Sequence, residues 1–193
     1  LLLYLGLPRR DVKPLAKALL DRFGSFAEVI SAEPTALAEV KGMGEAAIIA
    51  LKSVQSAALR LSRDQVMNRH VLSHWQQLVD YCKASMAYGK TEQFRILYLD
   101  RKNNLIADEV QQEGTVDHTP VYPREVVKRA LELGATALIM VHNHPSGDPT
   151  PSKADIEMTR EVQAAGERLG IVLHDHVVVS KGGTNSFKTM GLL

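Results

Sequence analysis

The most informative segment of the chain reads His142-Asn143-His144-Pro145-Ser146-Gly147-Asp148-Pro149-Thr150-Pro151-Ser152-Lys153-Ala154-Asp155. If it follows an extended strand, His142 and His144 point to the same side of the backbone, and their imidazoles can face one metal ion. The prolines and Gly147 predict a stiff turn that brings the chain back. Ser152 and Asp155 have the spacing of a helix N-cap and its N3 acid, so Asp155 projects from a fixed first turn.

These side chains predict a zinc site of the catalytic type. With His142, His144 and Asp155 as ligands, a fourth tetrahedral position is open to water, whereas structural zinc sites fill all four positions with protein ligands. Water bound to zinc becomes acidic near neutral pH and can act as a nucleophile. The alternative is a proline-rich loop that only caps a helix, which explains Ser152 and the prolines but not the two histidines.

The segments around this loop predict a mixed α/β domain, because strand-like and helix-like apolar patterns alternate. In chain order, the predicted elements are a helix at 72–86, strands at 94–99 and 105–107, a helix at 123–133, a strand at 136–141, a helix at 152–169, a strand at 171–179 and a turn at 181–183.

Residues 1–60 predict a separate helical unit. Apolar residues recur there at three- and four-residue spacing, and Gly and Pro mark the ends of short helices. Polar residues near position 63 suit a linker or an exposed stretch of helix. We therefore predict a helical domain at 1–62, a linker at 63–71 and a second domain at 72–193. The first residues lack the Met, basic region and cleavage site of a signal peptide, so we expect that the natural N-terminus is missing.

One turn in the helical unit, Val40-Lys41-Gly42-Met43-Gly44-Glu45-Ala46-Ala47, resembles the hairpin of a helix-hairpin-helix module. Glycines permit close backbone approach, and the N–H groups of a helix start beside Lys41 can bind a DNA phosphate without reading bases. Residues 1–60 hold eight basic and six acidic residues, which is a weak positive charge for a DNA-binding module. Non-specific DNA contact through residues 41–44 and docking to another protein are therefore both open.

The composition excludes several classes of protein. The 193 residues include 23 basic and 22 acidic side chains, so no overall positive charge favours nucleic acid or a membrane surface. An apolar fraction of 45% is typical of a soluble globular protein, and the apolar runs are too short to span a membrane. The single cysteine, Cys82, excludes a disulfide framework, a Cys-rich zinc finger and the Pro-Cys-x-x-Cys segment of zinc deaminases. We interpret Cys82 as a buried apolar residue and expect a reducing, cytoplasmic location.

The pattern His-x-His, seven residues, Ser, two residues, Asp resembles the JAMM (MPN+) metalloprotease motif. The surrounding sequence resembles that of the bacterial RadC family specifically. The segments that carry this resemblance are residues 142–149, Gly114-Thr115-Val116-Asp117 and Val121-Tyr122-Pro123-Arg124-Glu125. The resemblance covers residues 1–193. It implies a JAMM-type (cytidine-deaminase-like) α/β fold, with a mixed sheet flanked by helices, after a small all-α helix-hairpin-helix domain. It also implies zinc held by His142, His144 and Asp155, with Ser152 donating a hydrogen bond to the developing oxyanion.

The resemblance further implies a glutamate base at the start of an early strand, and Glu92 matches that place. A carboxylate there would take a proton from the zinc-bound water and pass it to the leaving amine. Glu109 and Glu113, on or after the paired strand, are alternatives, because strand alternation cannot be assigned to one residue from the sequence. Without such a role, Glu92 would be a solvated strand end.

The other histidines are interpreted differently. His174 and His176 repeat the His-x-His spacing, but they lie on an apolar strand with no downstream acid at the required distance. We interpret them as core residues, one of which could orient a ligand or substrate. His70 and His74 lack the Glu of His-Glu-x-x-His and are interpreted as a surface pair. The one-letter codes of residues 142–144 match the name of a nuclease family only by coincidence, since in those nucleases the His, Asn and His come from separate structural elements.

Two functional hypotheses follow. The first is a RadC-type zinc hydrolase, a peptidase or isopeptidase in which zinc-bound water attacks an amide carbonyl and the helical unit localises the enzyme. The second is a DNA-associated repair or recombination factor with a structural or vestigial metal site. A complete set of ligands, serine and glutamate favours the first, because a structural zinc has no use for an open position and a base. The sequence does not specify which peptide or protein is the substrate, nor the oligomeric state. An exposed edge of the hairpin at 94–99 could pair with a second copy or an extended peptide.

Overall fold

The structure, a computed structural model, describes residues 1–114 and 121–193. Its contacts divide the chain into two units, residues 1–61 and residues 62–193, and each unit has a buried apolar core. Residues 115–117, which contribute to the RadC resemblance, lie outside the described residues. In the described part of the chain, no helix has the combination of length and apolar character that a bilayer crossing requires.

The first unit is all-α, as predicted. Its helices are α1 (Leu3–Gly6), α2 (Lys13–Phe23), α3 (Phe26–Ser31), α4 (Pro34–Ala38) and the first part of α5 (Glu45–Val66). Gly24 ends α2 with a φ of 93°, and the Ser25 side chain caps α3 by accepting a hydrogen bond from the Glu28 N–H. The core of this unit includes Leu19, Leu37, Ala47 and Leu51.

Helix α5 is longer than predicted. Residues 63–66, which the sequence suggested as the start of a linker, form its last turn. Val66 lies in the core of the second unit, and the Asn68 N–H donates to the Leu105 carbonyl at 2.9 Å. In this polar stretch of the helix Val66 is buried, while residues 63–65 are exposed to water.

The second unit contains a 3-10 helix (Val71–His74) and alternating helices and strands. These are α6 (Trp75–Met86), β1 (Glu92–Leu99), β2 (Leu105–Gly114), α7 (Pro123–Leu133), β3 (Ala137–Asn143), α8 (Lys153–Glu167), β4 (Val172–Ser180) and β5 (Gly183–Ser186). The strands form one sheet in the order β2-β1-β3-β4-β5. Only β3 and β4 pair in parallel, and the other neighbours are antiparallel. The predicted mixed sheet is confirmed.

The sheet carries an apolar core on each face. On one face, α6 packs against the sheet with Leu78 and Cys82, so Cys82 is buried as predicted. On the other face, α7 and α8 contribute Val126 and Val162. Strand β3 lies in the middle of the sheet, and every one of its residues is buried. That position explains its continuous apolar run, since a central strand is covered on both faces.

Two strands differ from the predicted pattern. Strand β2 extends to Gly114, because its polar side chains suit an edge strand with one open face, and an apolar run alone does not mark it. The free edge of the predicted hairpin therefore belongs to β2, since β1 lies between β2 and β3. Strand β5 follows the predicted turn as a short edge strand paired with β4.

Candidate metal centre

His142, near the end of strand β3, and His144, directly after the strand, lie on the same side of the sheet. His142 is the penultimate residue of β3 and is fully buried. The parallel pairing with β4 continues past the strand, because the His144 N–H donates to the Val179 carbonyl at 2.9 Å. Alternate residues of an extended chain point the same way, so both imidazoles face the same space.

The first turn of α8 brings a carboxylate to that space. The Asp155 N–H donates to Ser152 Oγ at 3.1 Å, and the Ser152 N–H donates to Asp155 Oδ2 at 2.7 Å. This reciprocal capping box fixes Asp155 at position N3. Ser152 itself is exposed at the rim of the site.

The three predicted ligands come together. The two Nε2 atoms of His142 and His144 lie 2.9 Å apart. Asp155 Oδ1 is 3.5 Å from His142 Nε2, and Asp155 Oδ2 is 3.6 Å from His144 Nε2. Ligand atoms from all three residues lie within 4.8 Å of one another, a spacing compatible with one metal ion.

The loop between β3 and α8 is tied down on both sides. Its Gly147 has a φ of 92°, and its carbonyl accepts hydrogen bonds from the Ser180 hydroxyl at 2.8 Å and the Gly182 N–H at 3.2 Å. A Cβ at position 182 would lie 2.4 Å from the same carbonyl oxygen, so only glycine fits there. His144 Nδ1 lies 2.8 Å from the Asp148 carbonyl oxygen. Since a carbonyl only accepts, the neutral His144 ring carries its hydrogen on Nδ1 and a lone pair on Nε2.

Charges within the cluster change two pKa values. Burial alone would raise the pKa of Asp155, but hydrogen bonding to His142 and His144 holds it well below its usual range. Hydrogen bonding to Asp155 raises the pKa of His144, although burial acts in the opposite direction. The site therefore presents an ionised carboxylate at neutral pH, which favours a cation.

A second layer of polar residues lies behind His142. His142 Nδ1 is 2.8 Å from His176 Nε2, and His176 Nδ1 is 2.6 Å from Thr159 Oγ1. His142, His176 and Thr159 are all fully buried. Burial lowers the pKa of His176 well below its usual value. Of the second His-x-His pair, His176 thus supports the cluster from behind.

The remaining described histidines lie outside this cluster. His174 Nε2 is 2.7 Å from Asn103 Oδ1, and its contacts differ from those of His176. His70 and His74 are exposed; the Ser73 N–H donates to His70 Nδ1, which caps the 3-10 helix.

The three candidate glutamates have different surroundings. Glu92, the first residue of β1, is half-buried and lies two residues before Phe94, which pairs with His142, and its charge makes a minor contribution to the raised pKa of His144. Glu109 is held by Arg129, whose Nε lies 2.9 and 3.0 Å from its two carboxylate oxygens. The backbone of Glu113 pairs with β1, but its side chain lies outside the described part of the structure. Position therefore favours Glu92 over Glu109, and the assignment of the base stays a prediction.

Asn143 has a role that the sequence did not suggest. Its Oδ1 accepts from the Gln93 N–H at 2.8 Å, and its Nδ2 donates to the Thr91 carbonyl at 3.0 Å. These two bonds hold the backbone on both sides of Glu92. The pairing of β1 with β3 ends at Phe94 and His142, and the Asn143 amide continues the connection to β1. An Asn at the end of an apolar strand is the one sequence signal for such a bridge, because a buried amide must find hydrogen-bond partners.

Comparison with known proteins agrees with this geometry. Residues 72–192 match the family model described as a RadC-like JAB domain. The chain belongs to the RadC family. A UPF0758 protein of Rhodobacter capsulatus is 64% identical over 193 residues, covering all of this chain and 90% of that protein. A UPF0758 protein of Ruegeria pomeroyi is 58% identical over the whole chain and 86% of its own length. The resemblance inferred from the motif is thus confirmed, and this RadC-family chain carries the His-His-Asp cluster inside its JAB domain.

Proposed function

We propose that this RadC-family chain is a zinc-dependent hydrolase of peptide or isopeptide bonds. The observation that carries the proposal is the convergence of His142, His144 and Asp155 at the end of a rigid central strand. Two imidazoles and one carboxylate are a donor set that zinc prefers, and three protein ligands are the number found in catalytic zinc sites.

The protein would hold zinc through His142 Nε2, His144 Nε2 and the Asp155 carboxylate. Bound zinc would supply Lewis acidity, polarising an amide carbonyl and lowering the pKa of water. The chain contributes a preorganised cradle for this ion. The capping box orients the carboxylate and the Asp148 carbonyl orients the His144 ring, so little rearrangement is needed on binding.

Glu92 would act as the general base and then the general acid. It begins the strand whose Phe94 pairs with His142, and the Asn143 amide holds the backbone on both sides of it. A positioned carboxylate can accept a proton from the attacking water and return it to the leaving amine, which typically contributes about 10²- to 10⁴-fold to the rate.

Ser152 would stabilise the developing oxyanion. Its oxygen already accepts the Asp155 N–H, so the hydroxyl hydrogen remains available to point outward from the exposed rim. Such a donor acts where negative charge develops in the transition state.

Elemental analysis of the purified chain tests the metal site. We expect about one zinc per chain at neutral pH, since a complete site of this type binds zinc tightly. A folded wild-type protein that takes up no zinc on addition would contradict the proposal.

Hydrolysis tests the catalytic roles separately. A denatured mixture of peptides, incubated with the zinc-loaded chain and read by mass spectrometry, should show cleavage by the wild type. Glu92→Gln should lose about 10²- to 10⁴-fold of that activity while retaining zinc. Glu109→Gln is the matched control, because Glu109 is paired with Arg129, and it should remain active. Equal cleavage by wild type and Glu92→Gln would remove the assignment of the base.

A second candidate function is non-specific DNA contact through the helical unit. Lys41 and Arg10 line one groove beside Gly42, whose φ of 98° makes the tight turn before α5. Exposed cations beside a helix start can bind phosphate. Gel-shift assays of the full chain with duplex DNA at low salt should show binding that Lys41→Glu weakens. No shift at low salt, where phosphate contacts are strongest, would exclude this function.

A further inference from the structure

We propose that Thr159 and His176 form a buried hydrogen-bond relay that holds His142 in the tautomer with an unprotonated Nε2, the form that can bind zinc. This inference rests on the proposed zinc site. The relay runs from the Asp155 carbonyl through Thr159 and His176 to His142, and so joins α8, β4 and β3 behind the ligands.

The direction of the relay begins at helix α8. Thr159 Oγ1 lies 2.5 Å from the backbone carbonyl oxygen of Asp155, four residues earlier. A carbonyl oxygen only accepts hydrogen bonds, so the Thr159 hydroxyl must donate its hydrogen there. The Thr159 oxygen is then left with lone pairs for its other neighbour.

That neighbour is His176 Nδ1, at 2.6 Å. Because the only hydroxyl hydrogen is already used, His176 Nδ1 must be the donor. His176 is fully buried between the Phe187 ring, 4.4 Å away, and the Phe94 ring, 5.4 Å away, which favours the neutral imidazole. A neutral imidazole carries one N–H, so His176 Nε2 is an acceptor.

His142 completes the chain. Its Nδ1 lies 2.8 Å from His176 Nε2 and therefore donates to it, which leaves the lone pair on His142 Nε2. That lone pair faces the Nε2 of His144, 2.9 Å away. Two lone pairs at this distance repel each other unless a hydrogen or a metal ion lies between them, so a metal ion bound to both nitrogens would relieve the repulsion.

The opposite direction is disfavoured by the same distances. It would place the hydrogen on His142 Nε2, facing His144 Nε2 and the Asp155 carboxylate, where it would compete with a metal ion. It would also leave the Thr159 and Asp155 oxygens 2.5 Å apart without a hydrogen between them. The relay thus has one satisfactory direction, and that direction prepares His142 to be a ligand.

Long-range ¹⁵N–¹H correlation spectra of the metal-free, histidine-labelled chain test the relay directly. We expect the hydrogen on Nδ1 in both His142 and His176. A hydrogen on Nε2 of either ring would overturn the relay, even in a protein that binds zinc. If both rings show the expected tautomers but the protein takes up no zinc, the zinc-hydrolase proposal is contradicted. The proposed order of hydrogen bonds would then still hold.

Zinc affinity, measured by competition with a chromophoric chelator, tests what the relay does. Thr159→Val, which removes only the hydroxyl, and His176→Phe should each weaken zinc binding about 10- to 100-fold. Thr159→Ser restores the hydroxyl and should restore the affinity. His174→Ala is the matched control from the same strand and should bind zinc as the wild type does. If Thr159→Val folds and binds zinc with wild-type affinity, the proposed role of the relay is overturned. If this variant does not fold, the tautomers of the wild-type protein test the relay.

Discussion

The two His-x-His segments of this chain have the same spacing and opposite outcomes. His142 and His144 converge, with their Nε2 atoms 2.9 Å apart. His174 and His176 diverge: one contacts Asn103 and the other contacts His142 and Thr159. Identical spacing therefore does not by itself make a metal site.

The reason for the difference is a β-bulge. Along β3 and β4 the pairing steps from Leu138↔Leu173 to Ile139↔Asp175, so His174 is an extra residue on β4. A bulge breaks the alternation of side chains, which separates His174 from His176. No bulge interrupts the pairing of β3 with β4 near His142, and the alternation that the sequence predicts is kept there.

The middle residues of the two segments are also comparable. Asn143 is fully buried and bridges to the start of β1, while Asp175 is 4% exposed and accepts from the Ser186 hydroxyl and the Lys188 N–H beyond β5. Both residues anchor a neighbouring segment rather than face the ligand space. The polar residue between two histidines is thus structural in both cases.

The largest difference between the segments should be in zinc content. His144→Ala and Asp155→Asn each remove one of three ligands, so we expect zinc to fall from about one per chain to a small fraction of that value. His174→Ala removes a histidine from the other segment and should retain zinc. Elemental analysis after dialysis measures the zinc content of all three variants. If only His174→Ala lost zinc, the ligands would lie in the second segment and not in the first.

The middle residues should affect stability strongly. Asn143→Ala and Asp175→Ala leave buried hydrogen-bonding partners unsatisfied, so each should lower the free energy of unfolding by about 2 to 4 kcal/mol. Urea unfolding followed by the fluorescence of Trp75, the single tryptophan of the chain, measures this.

Gln76→Ala is the control for that measurement, because the Gln76 amide is exposed and bonds only to the exposed Asp80 in the described structure. It should change the free energy by about 0.5 kcal/mol or less. If Asn143→Ala were equally mild, the bridge to β1 would contribute little.

In the metal-free protein, the pKa values of His144 and His174 should be shifted in opposite directions. The pKa of His144 is raised by its hydrogen bond to Asp155, whereas burial lowers the pKa of His174. His144 should therefore titrate above the ordinary histidine value of about 6.5, and His174 below it. Proton NMR of the ring Hε1 signals measures both, with the signals assigned from His144→Ala and His174→Ala.

The pH dependence of the free energy of unfolding follows from the directions of these two pKa shifts. The contribution of His144 is complete at low pH and is lost as the pH rises through its raised pKa, whereas protonation makes His174 unfavourable as the pH falls below about 6.5. Removal of His144 should thus cost stability mainly on the acid side. A larger loss at pH 8 than at pH 6 would contradict the assignment.

Among the variants of the two His-x-His segments, His174→Ala should have the smallest effect on stability. His174 is half-buried and makes one described side-chain hydrogen bond, to Asn103. Its loss should lower the free energy of unfolding by about 1 kcal/mol, as for a single partly exposed hydrogen bond. A loss as large as that of Asp175→Ala would show that the bulge itself depends on this histidine.

Much of the fold could be predicted because its signals are local. The capping box of Ser152 and Asp155 and the buried run of β3 are contained within a few residues each. The length of β2 was missed, because an edge strand can be mostly polar. Residues 63–66 stay open between a linker and an exposed helix on sequence alone, because polar residues suit both. The bridge made by Asn143 was missed for a related reason, since Asn143 lies 50 residues from Gln93. A supporting role for His174 or His176 could be predicted, but not which of the two contacts His142, 34 residues from His176.

Local sequence is sufficient for the family, the strand-loop-helix unit and the set of candidate ligands, because spacing along a strand and within a cap converts directly into direction. The tertiary structure alone decides how closely the ligand atoms approach, which histidine of the second segment contacts His142 and how the ring of His142 is supported. Those outcomes depend on register, on one bulge and on hydrogen bonds between distant segments. Such contacts form only when the sheet and α8 are assembled, and no pattern within a single segment specifies them.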